Sequence, residues 1–164
     1  MMARASDLKA AGVRVATMEQ PWTKEEFQEA LTKLKALGKW EHPLDLGTAG
    51  TGEWLPYAYS PFLQSFGGDL VNRDGFQSAE GELNGDKAVQ WAEWFRGLAD
   101  QGFMAKKSGK DSTQDFLNNK SAIVYTVRGP LTKPRPHSAT TWWSCRRWTW
   151  ARAPRSAAPP GSGA

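Results

Sequence analysis

The sequence is nearly without cysteine and histidine. A single cysteine, Cys145, excludes an intramolecular disulfide and a cysteine-based metal site. The two histidines, His42 and His137, lie far apart and lack the spacing of metal ligands, so no cofactor is expected. No apolar run approaches the ~18–20 residues that a membrane span needs. The opening residues, Met1-Met2-Ala-Arg-Ala-Ser-Asp-Leu-Lys, lack the apolar stretch of a secretory signal, and the chain as written is expected in the cytoplasm. Acidic residues are also missing after Asp115. Residues 1–115 hold 13 Lys/Arg against all 17 Asp/Glu, a net −4, whereas residues 116–164 hold eight basic residues and no acid. The overall charge of +4 therefore belongs to the tail, which excludes a uniformly basic nucleic-acid face.

What the chain does have is a concentration of aromatics between Gly52 and Gly75. Trp54, Tyr57, Tyr59, Phe62 and Phe66 fall here with Pro56, Pro61 and the Gly67-Gly68 pair. Flat aromatic faces take the C–H face of a sugar ring, and neighbouring carboxylates such as Glu53 and Asp69 take its hydroxyls. By itself, such a segment more often means core side chains broken by turns.

The flanking pattern is helical. Thr23 and Glu26 have the spacing of a capping box, and Trp22 is placed to staple onto Phe27. Phe27, Ala30, Leu31, Leu34 and Leu37 follow at a 3.6-residue period, and Gly38 closes the helix. Residues 62–66 read as a short helical turn ending at Gly67-Gly68, and Asn72–Gly75 as a tight turn. A second long helix runs from a cap at Asn84 or Asp86 through Ala88, Trp91, Ala92, Phe95, Leu98 and Ala99 to Gly102. Asp111 to Asp115 reads as another capping box. Ser6–Ala11 is a short helical end, Leu44–Thr48 a weak strand, and Ser121–Thr126 a compact buried strand.

The order of these pieces carries a resemblance. Pro21-Trp-Thr-x-x-Glu-Phe opens a helix, Phe66-Gly-Gly-Asp-Leu ends the aromatic segment, and Asp74-Gly marks a turn. Leu98-Ala-Asp-Gln-Gly then ends a helix, and Phe116-Leu-Asn-Asn-Lys-Ser-Ala-Ile-Val-Tyr-Thr follows. Over roughly residues 6–126 the chain resembles the extracellular solute-binding proteins of carbohydrate ABC transporters, the maltodextrin-binding-protein-like family. The resemblance implies two α/β lobes closing on a sugar, with this chain matching much of the second lobe. The implied class is α/β, a partial periplasmic-binding-protein type II-like lobe of helices on a small sheet. Residues 1–20 then form a partial N-terminal segment and linker, 21–126 part of the second lobe, and 127–164 a disordered tail. With the first lobe, the signal and the C-terminal helices unmatched, weak or absent sugar binding is expected.

The resemblance also implies a role without chemistry. A mono- or oligosaccharide is the ligand and ABC permease membrane subunits are the partners, outside the cytoplasm and often on a lipid anchor. Trp54 and Tyr57 become stacking or hydrogen-bonding groups and Glu53 a hydroxyl partner. Tyr59 and Phe62 are further ligand candidates that also fit the core. The family carries a Gly-Pro-Trp after the Ala-Ile-Val-Tyr-Thr strand, where this chain has Val127-Arg128-Gly129. Back-translated with codons chosen to end in G or C where degeneracy allows and read one base earlier, those three residues can give Gly-Pro-Trp. In the same frame Ala139–Cys145 can give Asp-Asp-Leu-Val-Val-Val, and an out-of-frame tail is the expectation.

Two other functions are open to the sequence. A glycoside hydrolase needs two carboxylates about 5–10 Å apart across a sugar, and Glu53, Asp69 and Asp74 all lie in one segment with no partner from elsewhere. A basic-tailed interaction protein rests wholly on residues 127–164, which lack helical or strand periodicity.

Overall fold

The computed structural model describes residues 1–17 and 19–126, together with the backbone of Thr140–Trp142. The elements run β1 (Met2–Arg4), α1 (Ala5–Ala10), α2 (Lys24–Ala36), β2 (Leu44–Asp45), α3 (Trp54–Ser65), α4 (Asp86–Asp100), α5 (Ser112–Leu117), β3 (Ile123–Val124) and β4 (Thr140–Trp142). The class is α/β, with helices packed on a small sheet, as the resemblance implies.

Helix α2 forms as its sequence signals require. The Thr23 hydroxyl accepts from the Glu26 N–H at 3.2 Å, and the Glu26 carboxylate accepts from the Thr23 N–H at 2.8 Å. Two of the four N–H groups left open by the first turn are thereby satisfied. Trp22 and Phe27 sit with ring centroids 6.1 Å apart, completing the staple. Arg14 reinforces this end through two hydrogen bonds to Glu26, of 3.0 and 2.8 Å. Phe27, Leu31 and Leu34 are fully buried, each contributing about 2 kcal/mol of transfer free energy. Gly38, at φ +64°, closes the helix in the left-handed region where a side chain is strained.

The aromatic segment departs from its expected form. Instead of one turn over residues 62–66, α3 is a twelve-residue helix beginning at Trp54. Its prolines explain the misreading. Pro56 lies in the first turn, where the missing N–H has no helical partner anyway. Pro61 does sit inside the helix and removes one backbone bond. Burial of Ala58, Phe62 and Leu63 against the core holds the helix through that gap.

Helix α4 also starts differently. Gly85 is its N-cap and provides no side-chain bond, while the Asn84 side chain accepts from the Gly81 N–H at 2.6 Å. Ala92, placed on the buried stripe by periodicity, is exposed. At α5 the Asp111 side chain accepts from the Gln114 N–H at 3.0 Å. The Gln114 side-chain amide donates to the Asn118 side-chain oxygen at 3.2 Å.

The sheet has the order β2-β3-β1-β4. β2 and β3 are parallel, with Leu44 opposite Ile123 and Asp45 opposite Val124. β1, unmarked in the sequence, pairs antiparallel with both β3 and β4. Arg4 ends it and locks it to α5: its guanidinium lies 4.2 Å from the Phe116 ring centroid and donates to the Ser121 and Phe116 carbonyls. The core lies between sheet and helices, where Leu8, Phe27, Leu31, Leu44, Phe62 and Leu98 are almost wholly enclosed. Of the tail expected to be disordered, Thr140–Trp142 is strand backbone paired with β1. The remainder of that expectation falls on residues 127–139 and 143–164, outside the described residues.

Candidate ligand-binding site

Parallel strands send their connecting loops out at the same end, and in α/β sheets ligands bind where those loops diverge. Here the C-terminal ends of β2 and β3 are Asp45 and Val124, tied by the Tyr125 N–H to the Asp45 carbonyl at 2.8 Å. The loop leaving β2 carries Gly47 and Gly52 at φ +68° and +61° and delivers the first turn of α3.

Trp54 is the first residue of that turn. Its indole N–H donates to the Gly47 carbonyl at 2.8 Å. The ring lies so close over the glycines that a Cβ on Gly50 would stand 2.0 Å from its Cδ1. Its neighbours are Tyr57 at 6.4 Å and Tyr125 at 6.1 Å between centroids, both tilted. The result is a cluster of three aromatic rings at the strand ends. Tyr57 is 61% exposed, and Trp54 and Tyr125 are partly exposed.

A polar network lies beneath. The Asp45 carboxylate oxygen Oδ1 accepts from the Gly47 N–H at 2.8 Å, the Ser108 hydroxyl at 2.6 Å and the Ser112 hydroxyl at 3.0 Å. Thr48 and Ser108 exchange backbone and hydroxyl bonds of 2.8–3.1 Å. Thr113 and Thr126 are joined through their hydroxyls at 2.9 Å.

The five residues singled out from the sequence are placed unequally. Glu53, Trp54 and Tyr57 come together at the start of α3, Glu53 exposed at the N-cap position without a capping bond. The Trp54 N–H is already engaged, which leaves its ring for stacking. Tyr59 lies on the inner side of the cluster, its hydroxyl close to the Trp54 side chain. Its hydroxyl donates to the Leu46 carbonyl at 3.3 Å, its ring meets Phe95 edge-on at 5.2 Å, and burial raises its pKa. Tyr59 lines a separate groove of about 450 Å³ with Leu55, Phe95 and Met104. Phe62 is fully buried and packs edge-on against Tyr125 at 5.5 Å, which makes it core.

Tyr125 and Asp45 escaped the sequence reading. Tyr125 sat within an apolar strand run, and only the β2–β3 pairing places it beside Trp54. Asp69, suggested as a hydroxyl partner, is otherwise engaged: Arg73 bonds both its oxygens, and Gln64 and the Leu70 N–H also donate to it. Its pKa is lowered to about 2, chiefly by Arg73, so it stays ionised at neutral pH. Among the described residues no group of three His, Cys, Asp or Glu is placed to hold a metal ion.

Residues 1–131 match the family of bacterial extracellular solute-binding proteins. The chain belongs to that family. No curated protein matches the sequence significantly. As a solute-binding protein it belongs to a class that works outside the cytoplasm, takes small-molecule ligands and serves transporters, in general without catalysis. No helix among the described residues is long and apolar enough to cross a membrane. The match ends five residues after Thr126 and so includes every residue of the aromatic cluster.

Proposed function

We propose that this solute-binding protein is the carbohydrate-binding component of an ABC importer of the maltodextrin-binding-protein-like kind. The observation that carries this reading is the partly exposed Trp54–Tyr57–Tyr125 cluster at the ends of the parallel strands. A sugar ring stacks on Trp54 and Tyr57, and Glu53 accepts hydrogen bonds from its hydroxyls. Stacking suits the indole because its one polar hydrogen is held by Gly47. Among the described residues these contacts come from one face, and the affinity they supply is weak, with a Kd on the order of millimolar, about −4 kcal/mol.

The test is a titration of the full chain with glucose, maltose, xylose and arabinose oligomers, followed through the tryptophan indole resonances. A saturable shift of the Trp54 indole that Tyr57→Ala abolishes supports the reading. If no sugar moves that resonance, carbohydrate is the wrong ligand class.

We also propose that the residues following Thr126 are read out of frame. Read one base earlier with G/C-rich codons, Val127-Arg128-Gly129 can encode the Gly-Pro-Trp that the family carries after this strand. Nucleotide sequence around codon 126 in independent isolates tests this. An undisturbed frame in all of them rejects it.

A further inference from the structure

The Trp54 ring is held through a relay that begins at Asp45. The carboxylate accepts the Gly47 N–H at 2.8 Å, and the Gly47 carbonyl accepts the Trp54 indole N–H at 2.8 Å. Both bonds use the same residue, at φ +68°, so whatever fixes the Gly47 backbone aims the indole. The same carboxylate oxygen receives the Ser108 and Ser112 hydroxyls from a segment more than sixty residues away. Ser108 in turn holds Thr48, the residue after Gly47. A second tether, from the Tyr59 hydroxyl to the Leu46 carbonyl, pins the residue before it. Asp45 is thus the point at which β2, the glycine loop and the start of α5 meet.

We infer that Asp45 is the positioning residue of the aromatic cluster. Its carboxylate holds the Gly47 N–H directly and, through Ser108 and the Thr48 N–H, the peptide whose carbonyl takes the indole, and this fixes the plane of the Trp54 indole against Tyr57 and Tyr125. The inference rests on the proposed sugar site for its consequence in binding, but the positioning itself is a property of the free protein. A carboxylate is suited to the task because one of its oxygens can accept several hydrogen bonds at once. Three donors converging on one oxygen resist rotation of the carboxylate. Asp45 itself touches no ligand in this arrangement.

The test uses the full chain labelled at the indole nitrogens, with the Trp54 signal assigned by its loss in Trp54→Phe. Solvent exchange of each indole proton is then measured without sugar. Asp45→Ala is expected to speed Trp54 exchange at least about tenfold while Trp22 and Trp40, buried on other elements, stay as in the parent. Asp45→Asn keeps a neutral acceptor and is expected to speed Trp54 exchange only two- to fivefold. A parent-like Trp54 rate in Asp45→Ala overturns the proposal. Where Asp45→Ala does not fold, Asp45→Asn decides, and an unchanged Trp54 rate there overturns it equally. In the same variants, sugar affinity falls in the order of Trp54 exchange. Faster Trp54 exchange with unaltered sugar binding supports the positioning role and removes Trp54 from the proposed sugar site.

Discussion

Asp69 and Arg73 face each other across one turn of chain, the guanidinium donating to both carboxylate oxygens at 2.6 and 2.9 Å. The pair fastens the exit of α3 to the turn at residues 72–75, because Gln64 and the Leu70 N–H share the same carboxylate. Arg73 is largely exposed, so the pair acts as a latch on a surface turn, not as a buried charge. Its pH dependence has a definite sign. The folded-state pKa of Asp69 is depressed from 3.8 to about 2, so the stabilisation is complete above pH 4 and lost between pH 4 and 2. Asp69→Asn is therefore expected to lower Tm by a few degrees at pH 7 and to match the parent near pH 2. Thermal melts across that range check it, and an equal deficit at both ends of the range contradicts it.

The glycines of the β2–α3 loop separate two kinds of cost. At Gly50 an added Cβ meets Trp54 Cδ1 at 2.0 Å and Cγ at 2.5 Å, so Gly50→Ala must push the indole aside. At Gly52 no atom lies within 4 Å, but φ is +61°, so Gly52→Ala costs about 1 kcal/mol of backbone strain. The expected result is a displaced Trp54 resonance and weakened sugar binding in Gly50→Ala. Gly52→Ala is expected to lose stability with its Trp54 resonance unmoved.

Tyr57 and Phe62 lie five residues apart on one helix with opposite fates. Phe62→Ala empties a fully enclosed site and is expected to cost about 3–5 kcal/mol, enough to unfold a small domain. Tyr57→Ala removes a ring that is 61% exposed and is expected to change stability by less than about 0.5 kcal/mol. Denaturant unfolding distinguishes them, and comparable losses in both variants contradict the assignment of Tyr57 to the open face.

The α2 cap offers a fourth test. Thr23→Ala removes the hydroxyl that accepts the Glu26 N–H and is expected to cost about 1 kcal/mol. Glu26 has its pKa lowered by the Arg14 side chain and then by the Thr23 N–H. Glu26→Gln keeps an acceptor for Thr23 but no charge for Arg14, so its deficit relative to the parent should shrink as pH falls below the carboxylate range. A pH-independent deficit would show that the charge of Glu26 is irrelevant.

Legibility in the sequence followed the range of the forces at work. α2 was readable throughout because a capping box, a staple, a 3.6-residue stripe and a closing glycine all act within a few residues of one another. α3 was not, because Pro56 and Pro61 signal a break locally, and the burial that overrides them comes from Phe62 meeting distant Tyr125 and Trp94. The cap of α4 was misplaced because Asn84 has the right chemistry for a cap but its amide oxygen is taken by Gly81. β1 was invisible because a three-residue strand is defined by its partners, here over a hundred residues away.

The candidate site divides along the same line. The family resemblance implied the α/β class, and the sequence by itself determined that aromatic groups gather before a Gly-Gly pair and that Glu53, Trp54 and Tyr57 are neighbours in the chain. These are local facts, set by composition and helical spacing. Only the tertiary structure decided that Phe62 is core, and that Tyr125 and Asp45 lie beside Trp54 and its loop. Those outcomes depend on the parallel pairing of β2 with β3, which places residues 45 and 125 side by side. No periodicity within either segment encodes that contact, because its stability comes from a sheet and a core assembled from both ends of the described chain.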